Sequence, residues 1–292
     1  MMTIRRSAFS LIELLTVVAI VGVLLGLLLP AIQQIRASSL KIACQNQIKQ
    51  LGLAFHGYQN QNGLLPPGLE SDQPSNLLPY LNWHARLLPH LEHATHWQQI
   101  LDNYKTERDF LKPPHRLLAS TDLSIFMCPA DGRSNRGGHK FAGLTSYLGN
   151  GGRNAVSADG VLYLDSRLRW DDITDGLSNT LLIGERPANP DLTMGWWYAG
   201  WGQDQDGSGD SVLGVREINF GSPYGRGCEI GPYRFRGRQI NDSCGTFHFW
   251  SVHAGGAHFA CADGSVRFLL YAADPLLPVF ATRAGGDNES LP

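Results

Sequence analysis

A long apolar run that contains one carboxylate constrains this chain more than any other feature. From Phe9 to Leu29 the only ionisable side chain is Glu13, and Arg5 and Arg6 stand just before the run. As a helix these 21 residues extend about 31 Å, close to the hydrocarbon thickness of a bilayer. With both arginines ahead of it, the positive-inside rule places the N-terminus in the cytoplasm and the rest of the chain outside. Three readings share this pattern: a cleaved secretory signal, a plain signal anchor, and a segment that uses Glu13. A secretory signal calls for a shorter apolar centre and a small-x-small cleavage site. Pro30 follows the run instead, and residues 31 to 37 offer no convincing site. A plain anchor has no use for Glu13, which costs up to about 3 kcal/mol at the bilayer centre and less near an end. A carboxylate that snorkels to the interface or stays protonated is the bland alternative.

Beyond the run the helical pattern continues. Ile48, Leu51, Phe55 and Tyr58 recur at spacings of three and four, while Gln45, Lys49 and Gln50 fall elsewhere. One helix over residues 9–60 would be about 78 Å long, with a kink at Pro30. Asn62-Gly63 and Pro66-Pro67-Gly68 end it.

The remainder is turn-rich. Among 292 residues there are 33 Gly and 16 Pro, and only 17% are charged, against a usual quarter or so, which excludes a coiled coil, a helical bundle or an acidic disordered tail. With 24 basic and 26 acidic side chains, no global positive field exists to hold nucleic acid. Residues 77–112 carry the only other helical pattern. His84, His90, His93 and His96 lie within it, but their spacing lacks the i, i+4 pair of a helical metal site. After Cys128 the chain reads as short strands, with candidates at 146–148, 161–164, 180–183, 196–199 and 246–252. Residues 258–262, Asp263-Gly264 and 265–269 read as a hairpin with a primed two-residue turn. That register puts Cys261 opposite Val266 and Phe259 opposite Phe268 on a core face, with Arg267 on the other.

Residues 5–15, Arg-Arg-Ser-Ala-Phe-Ser-Leu-Ile-Glu-Leu-Leu, resemble the type IV prepilin cleavage and methylation signature, with Ala8 where Gly is usual. The resemblance implies that a prepilin peptidase cuts between Ala8 and Phe9 and that the new amine of Phe9 is methylated. A positive amine and the Glu13 carboxylate four residues away would then neutralise each other between neighbouring helices and set their register. A second set of residues resembles the DUF1559 family and its H-x9-DG motif: His253 followed after nine residues by Asp263 and Gly264. Phe126 to Pro129 and Asp175 to Arg186 also match that family. It implies a secreted or envelope-attached pilin-like protein and assigns no chemistry to the motif.

Other chemistry is sparse. No Gly-x-Ser-x-Gly elbow accompanies His248, His253, His258, Cys261 and Asp263, so no catalytic site is expected. Asp204, Asp206 and Asp210 on a Gly-rich loop could offer oxygens to Ca²⁺, or form an ordinary acidic turn. Of five cysteines outside the membrane, Cys228 and Cys244 are the preferred disulfide pair, and Cys261 is left free. Arg226, Arg234, Arg236 and Arg238 alternate with aromatics, either as a strand edge or as a surface for an anionic glycan or nucleic acid.

The expectation is therefore an α+β chain: a leader at 1–8, a pilin-like helix at 9–60 that is transmembrane over 9–29, and an antiparallel β-rich head at 61–292 with a small helical insertion. Its expected role is that of a pilin-like or pseudopilin-like structural subunit in a type IV pilus-like or type II secretion-like envelope complex. The expected partners are prepilin peptidase, other pilin-like subunits and membrane lipid. The alternative is a membrane-anchored extracytoplasmic protein that binds a glycan or a secreted partner.

Overall fold

The structure is a computed structural model that describes residues 11–133, 142–225, 227–286 and 291. The chain divides into two compact units, Met1–Ile42 and Ala43–Pro292. Helix α1, Leu11–Asn62, continues through Pro30 and supplies residues to both. In the first unit its side chains are exposed through residue 39. In the second, Cys44, Ile48, Leu51 and Phe55 are fully buried, the 3–4 spacing of one helical face.

The head is built on a five-stranded sheet in the order β3-β1-β2-β6-β7. Its strands are β1 (Tyr147–Gly152), β2 (Leu181–Glu185), β3 (Val212–Gly214), β6 (Gly256–Cys261) and β7 (Val266–Leu270), while β4 (Ile218–Asn219) and β5 (Gly231–Pro232) form a separate two-stranded ladder. The fold class is α+β, but the main sheet is mixed. Strands β1 and β3 pair in parallel, whereas the other three pairings are antiparallel. Some sixty residues separate β1 from β3, so the chain returns by a long connection that leaves direction free, as no hairpin would.

Both faces of the sheet are covered. Ala260 and Ala262 join the core that holds Ile48, Leu51, Phe55, Trp83 and Leu182. Ala257, Phe259 and Cys261 join a second core with Leu148, Leu269 and Phe280. The alternation is the period of two that a pleated strand imposes. Gly184 in β2 allows Phe259 and Phe249 to lie over it, since a Cβ there would meet their rings at 2.5 and 2.8 Å.

The hairpin register differs from the expected one by one residue. Phe259 faces Arg267 and His258 faces Phe268. The turn is longer than two residues: Gly264 N donates to Cys261 O and Cys261 N to Ser265 O, and of Asp263 and Gly264 only Gly264 has positive φ, at 76°. One left-handed glycine after a type I turn makes a three-residue loop with a bulge, which shifts every pair. Candidate strands at 161–164 and 196–199 make only isolated bridges, and Ser243–Phe247 is a 3-10 turn. The helical insertion comprises α2 (Trp83–Leu87), α3 (Ala94–Thr106) and α4 (His115–Ala119), with Ile100 and Tyr104 inward from α3. A last short helix, α5 (Leu277–Ala281), contributes Leu277 and Phe280 to the second core.

Candidate functional site

Two regions concentrate unusual chemistry. The first is α1 before residue 40, a helix long and apolar enough to cross a membrane, with no residue of its apolar window buried. Thr16 Oγ1 donates to Glu13 O at 3.0 Å, an ordinary contact within one turn. Ala8 and Phe9 lie outside the described residues.

The second lies inside the head, where His253, Glu185, His258 and the Cys44–Cys128 disulfide meet. Glu185 ends β2, an otherwise apolar strand held between β1 and β6. Its Oε2 accepts from the backbone N of His258 at 2.7 Å and lies 3.2 Å from His258 Nδ1. Its Oε1 meets no hydrogen-bond geometry but sits 3.4 Å from His253 Nε2. That ring nitrogen is also 3.5 Å from Cys128 Sγ. Cys128 N donates to Ser146 Oγ, which holds the disulfide beside β1, and His253 N donates to Ser251 Oγ, which shapes the turn before β6. Burial alone would raise the Glu185 carboxyl, but the adjacent imidazoles of His253 and His258 bring it below the usual range.

The segment from His253 to Gly264 is thereby given a geometry. His253 at one end touches the disulfide to Cys44 of α1. Gly264 at the other accepts from Lys49 Nζ at 2.6 Å, five residues further along the helix. Asp263 stays in the turn, where its Oδ1 accepts from Ser265 N at 2.8 Å and its own N donates to Leu177 O. Both ends of this segment thus fasten the β6–β7 hairpin to the same stretch of helix.

The other proposed site residues are dispersed. Asp204 is exposed, Asp206 accepts from Ser208 N at 2.8 Å, and Asp210 is buried and accepts from Gly195 N and Gly202 N. Burial raises Asp210 to about 6 despite those bonds and the nearby Arg186. Arg186, fully buried, donates to Pro187 O and Gly209 O. Among the described residues, the group of side chains placed to share a metal ion is Cys44, Cys128, Glu185 and His253, and it includes none of these aspartates. Cys228 and Cys244 are joined in a disulfide, and Cys261 is a buried free thiol. Arg234, Arg236 and Arg238 line an open depression of about 800 Å³ with Tyr233 and Phe235; Arg226 lies outside the described residues. His84 is buried against Tyr147 O, and His93 and His96 pair edge to face.

Sequence reasoning passed over Cys44, Cys128 and Glu185 as partners. A signal was present: Cys44 continues the buried spacing of Ile48 and Leu51, and a carboxylate ending the strand Leu-Leu-Ile-Gly-Glu calls for a buried partner.

A mixed sheet covered on both faces, fastened to an apolar helix through a buried disulfide, defines an α+β head on a helix able to span a membrane. The family model described as "Protein of unknown function (DUF1559)" matches residues 33–276, and the chain belongs to that family. No curated protein and no solved structure matches it.

Proposed function

We propose that this chain is a pilin-like structural subunit of the cell inner membrane, with its N-terminus cytoplasmic and its head extracytoplasmic. A prepilin peptidase trims it after Ala8, and other pilin-like subunits join it through α1 in a type IV pilus-like or type II secretion-like envelope complex. The observation that carries the reading is the helix surface from Leu11 to Ile35, where large apolar side chains on every side are exposed, in a helix whose later residues are core of the head. Such a surface suits lipid and packed neighbouring helices. Two disulfides in the head agree with an oxidising compartment. The role requires no turnover.

Mass spectrometry of the native N-terminus tests the proposal directly. The expected species begins at N-methylated Phe9, and Glu13→Ala inserts in the membrane but fails to cross-link to neighbouring copies. A chain that keeps residues 1–8, or that is cut after residue 30, refutes processing as proposed.

A second reading, a membrane-anchored protein that binds an acidic glycan, is favoured by the depression around Arg234, Arg236 and Arg238. Retention of the full chain on a sulfated polysaccharide that falls at least tenfold in Arg234→Ala/Arg236→Ala supports it. Equal retention of both proteins removes it.

A further inference from the structure

Four donor atoms from separate stretches of chain converge in the head: the Cys44 and Cys128 sulfurs, His253 Nε2 and a Glu185 oxygen. All lie within 4.8 Å of one another, and all four residues are buried. The two sulfurs share a disulfide, and a metal needs thiolates. We propose that reduction of the Cys44–Cys128 bond converts this cluster into a tetrahedral site for a borderline-soft divalent cation of the Zn²⁺ type. This inference is independent of how the protein is anchored or assembled.

The spacing of the other donors fits. For metal–nitrogen and metal–oxygen distances of about 2.0 Å and a metal–sulfur distance of about 2.3 Å, a tetrahedron has N···O edges of about 3.3 Å and N···S edges of about 3.5 Å. His253 Nε2 lies 3.4 Å from Glu185 Oε1 and 3.5 Å from Cys128 Sγ. The carboxylate is also oriented as a ligand would be. His258 holds Oε2 through its backbone N and Nδ1, while Oε1 is buried, makes no hydrogen bond and lies 3.4 Å from the His253 imidazole. Two sulfurs, one imidazole and one carboxylate select a zinc-like ion over calcium or magnesium, which take oxygen ligands. His253 also lines, with Ser251 and Tyr271, an open depression of about 520 Å³.

The chemistry balances with a dithiol as reductant. Two electrons and two protons pass to the Cys44–Cys128 bond, giving two thiols, while the dithiol closes to its own disulfide. Binding the cation then releases two protons from those thiols to water. Disulfide and metal are mutually exclusive occupants of one site, so the redox state decides which of them fastens Cys44 of α1 to the head.

The test uses the full chain in detergent micelles, carrying Cys228→Ser/Cys244→Ser so that one disulfide remains. A phosphine reduces it anaerobically, itself becoming the phosphine oxide with water as oxygen and proton source. Co²⁺ is then titrated, read by its thiolate charge-transfer band, and displaced with Zn²⁺. The expected result is one Co²⁺ per reduced chain, none in the oxidised chain, and none after Cys44→Ser/Cys128→Ser. His253→Ala and Glu185→Gln each weaken binding at least tenfold. A reduced chain without the band, folded or not, overturns the proposal. So does a band unaffected by His253→Ala and Glu185→Gln, because an unfolded chain offers its thiolates regardless of those residues.

Discussion

Removing the Cys44–Cys128 disulfide should cost more stability than removing Cys228–Cys244, and the difference follows from the loops they close. The first joins residues 84 apart in sequence and the second residues 16 apart. Chain-entropy arithmetic assigns about 4.6 kcal/mol to the longer loop and about 3.1 kcal/mol to the shorter at 25 °C. The longer bond is also buried between α1 and the sheet, where alanines leave unfilled volume beside His253 and Glu185. Cys44→Ala/Cys128→Ala should therefore lose about 1.5 kcal/mol or more beyond the loss in Cys228→Ala/Cys244→Ala. The assay is urea unfolding of the full chain in one detergent, followed by fluorescence of the buried Trp83 and Trp197. The apolar part of α1 is unchanged in both variants, so its behaviour in the micelle cancels in the comparison. Equal losses, or a larger loss in the Cys228→Ala/Cys244→Ala protein, would refute the view that the disulfide to α1 is the principal covalent constraint on the head.

Three further outcomes are expected. Gly184→Ala forces a methyl to within 2.5 Å of Phe259 and 2.8 Å of Phe249, so thermal unfolding should show a loss of about 1–3 kcal/mol; an unchanged midpoint contradicts the packing. Lys49→Met removes the 2.6 Å bond to Gly264 O, which should cost about 1 kcal/mol and speed amide exchange in the 262–265 turn, and unaltered exchange counts against the clamp. Stability against pH should be nearly level between about pH 4.5 and 6.5 and fall below pH 4, because groups of opposite sign offset one another. Burial lowers His84 and His248 from 6.5 to about 3, so the unfolded chain binds more protons in that window and stability rises with pH. Burial raises Asp210 from 3.8 to about 6 and Glu217 from 4.5 to about 7, so the folded chain binds more protons there and stability falls with pH. His84→Gln removes one rising contribution, and urea midpoints at pH 5 and 6.5 should then show stability declining with pH; an unchanged slope refutes the assignment.

Glu185 illustrates why part of the candidate site escaped sequence reasoning. A local pattern announces that a strand is apolar and that one carboxylate interrupts it. Which histidine faces that carboxylate depends on β2 lying beside β6, a pairing between residues more than seventy positions apart. Asp263-Gly264 was legible as a turn because its chemistry is local, yet the register was one residue off. The choice between a two-residue and a three-residue loop depends on φ at Asp263 as well as Gly264, and the pair of residue types permits both. Cys228 and Cys244 lie close in sequence and suggested each other. Cys44 and Cys128 did not, since they lie 84 positions apart.

What the linear chain determined by itself is whatever depends on neighbours along it: the apolar run with its lone acid, the helical face of Ile48, Leu51 and Phe55, and the turn at Gly264. Those follow from side-chain period and backbone preference, which act over a few residues. Only the folded molecule decided the parallel β1–β3 pair, the meeting of Glu185 with His253 and His258, and the attachment of both ends of the 253–264 segment to one stretch of helix. Those contacts join distant segments, and their geometry exists only after the sheet has ordered its strands and α1 has buried Cys44 against it.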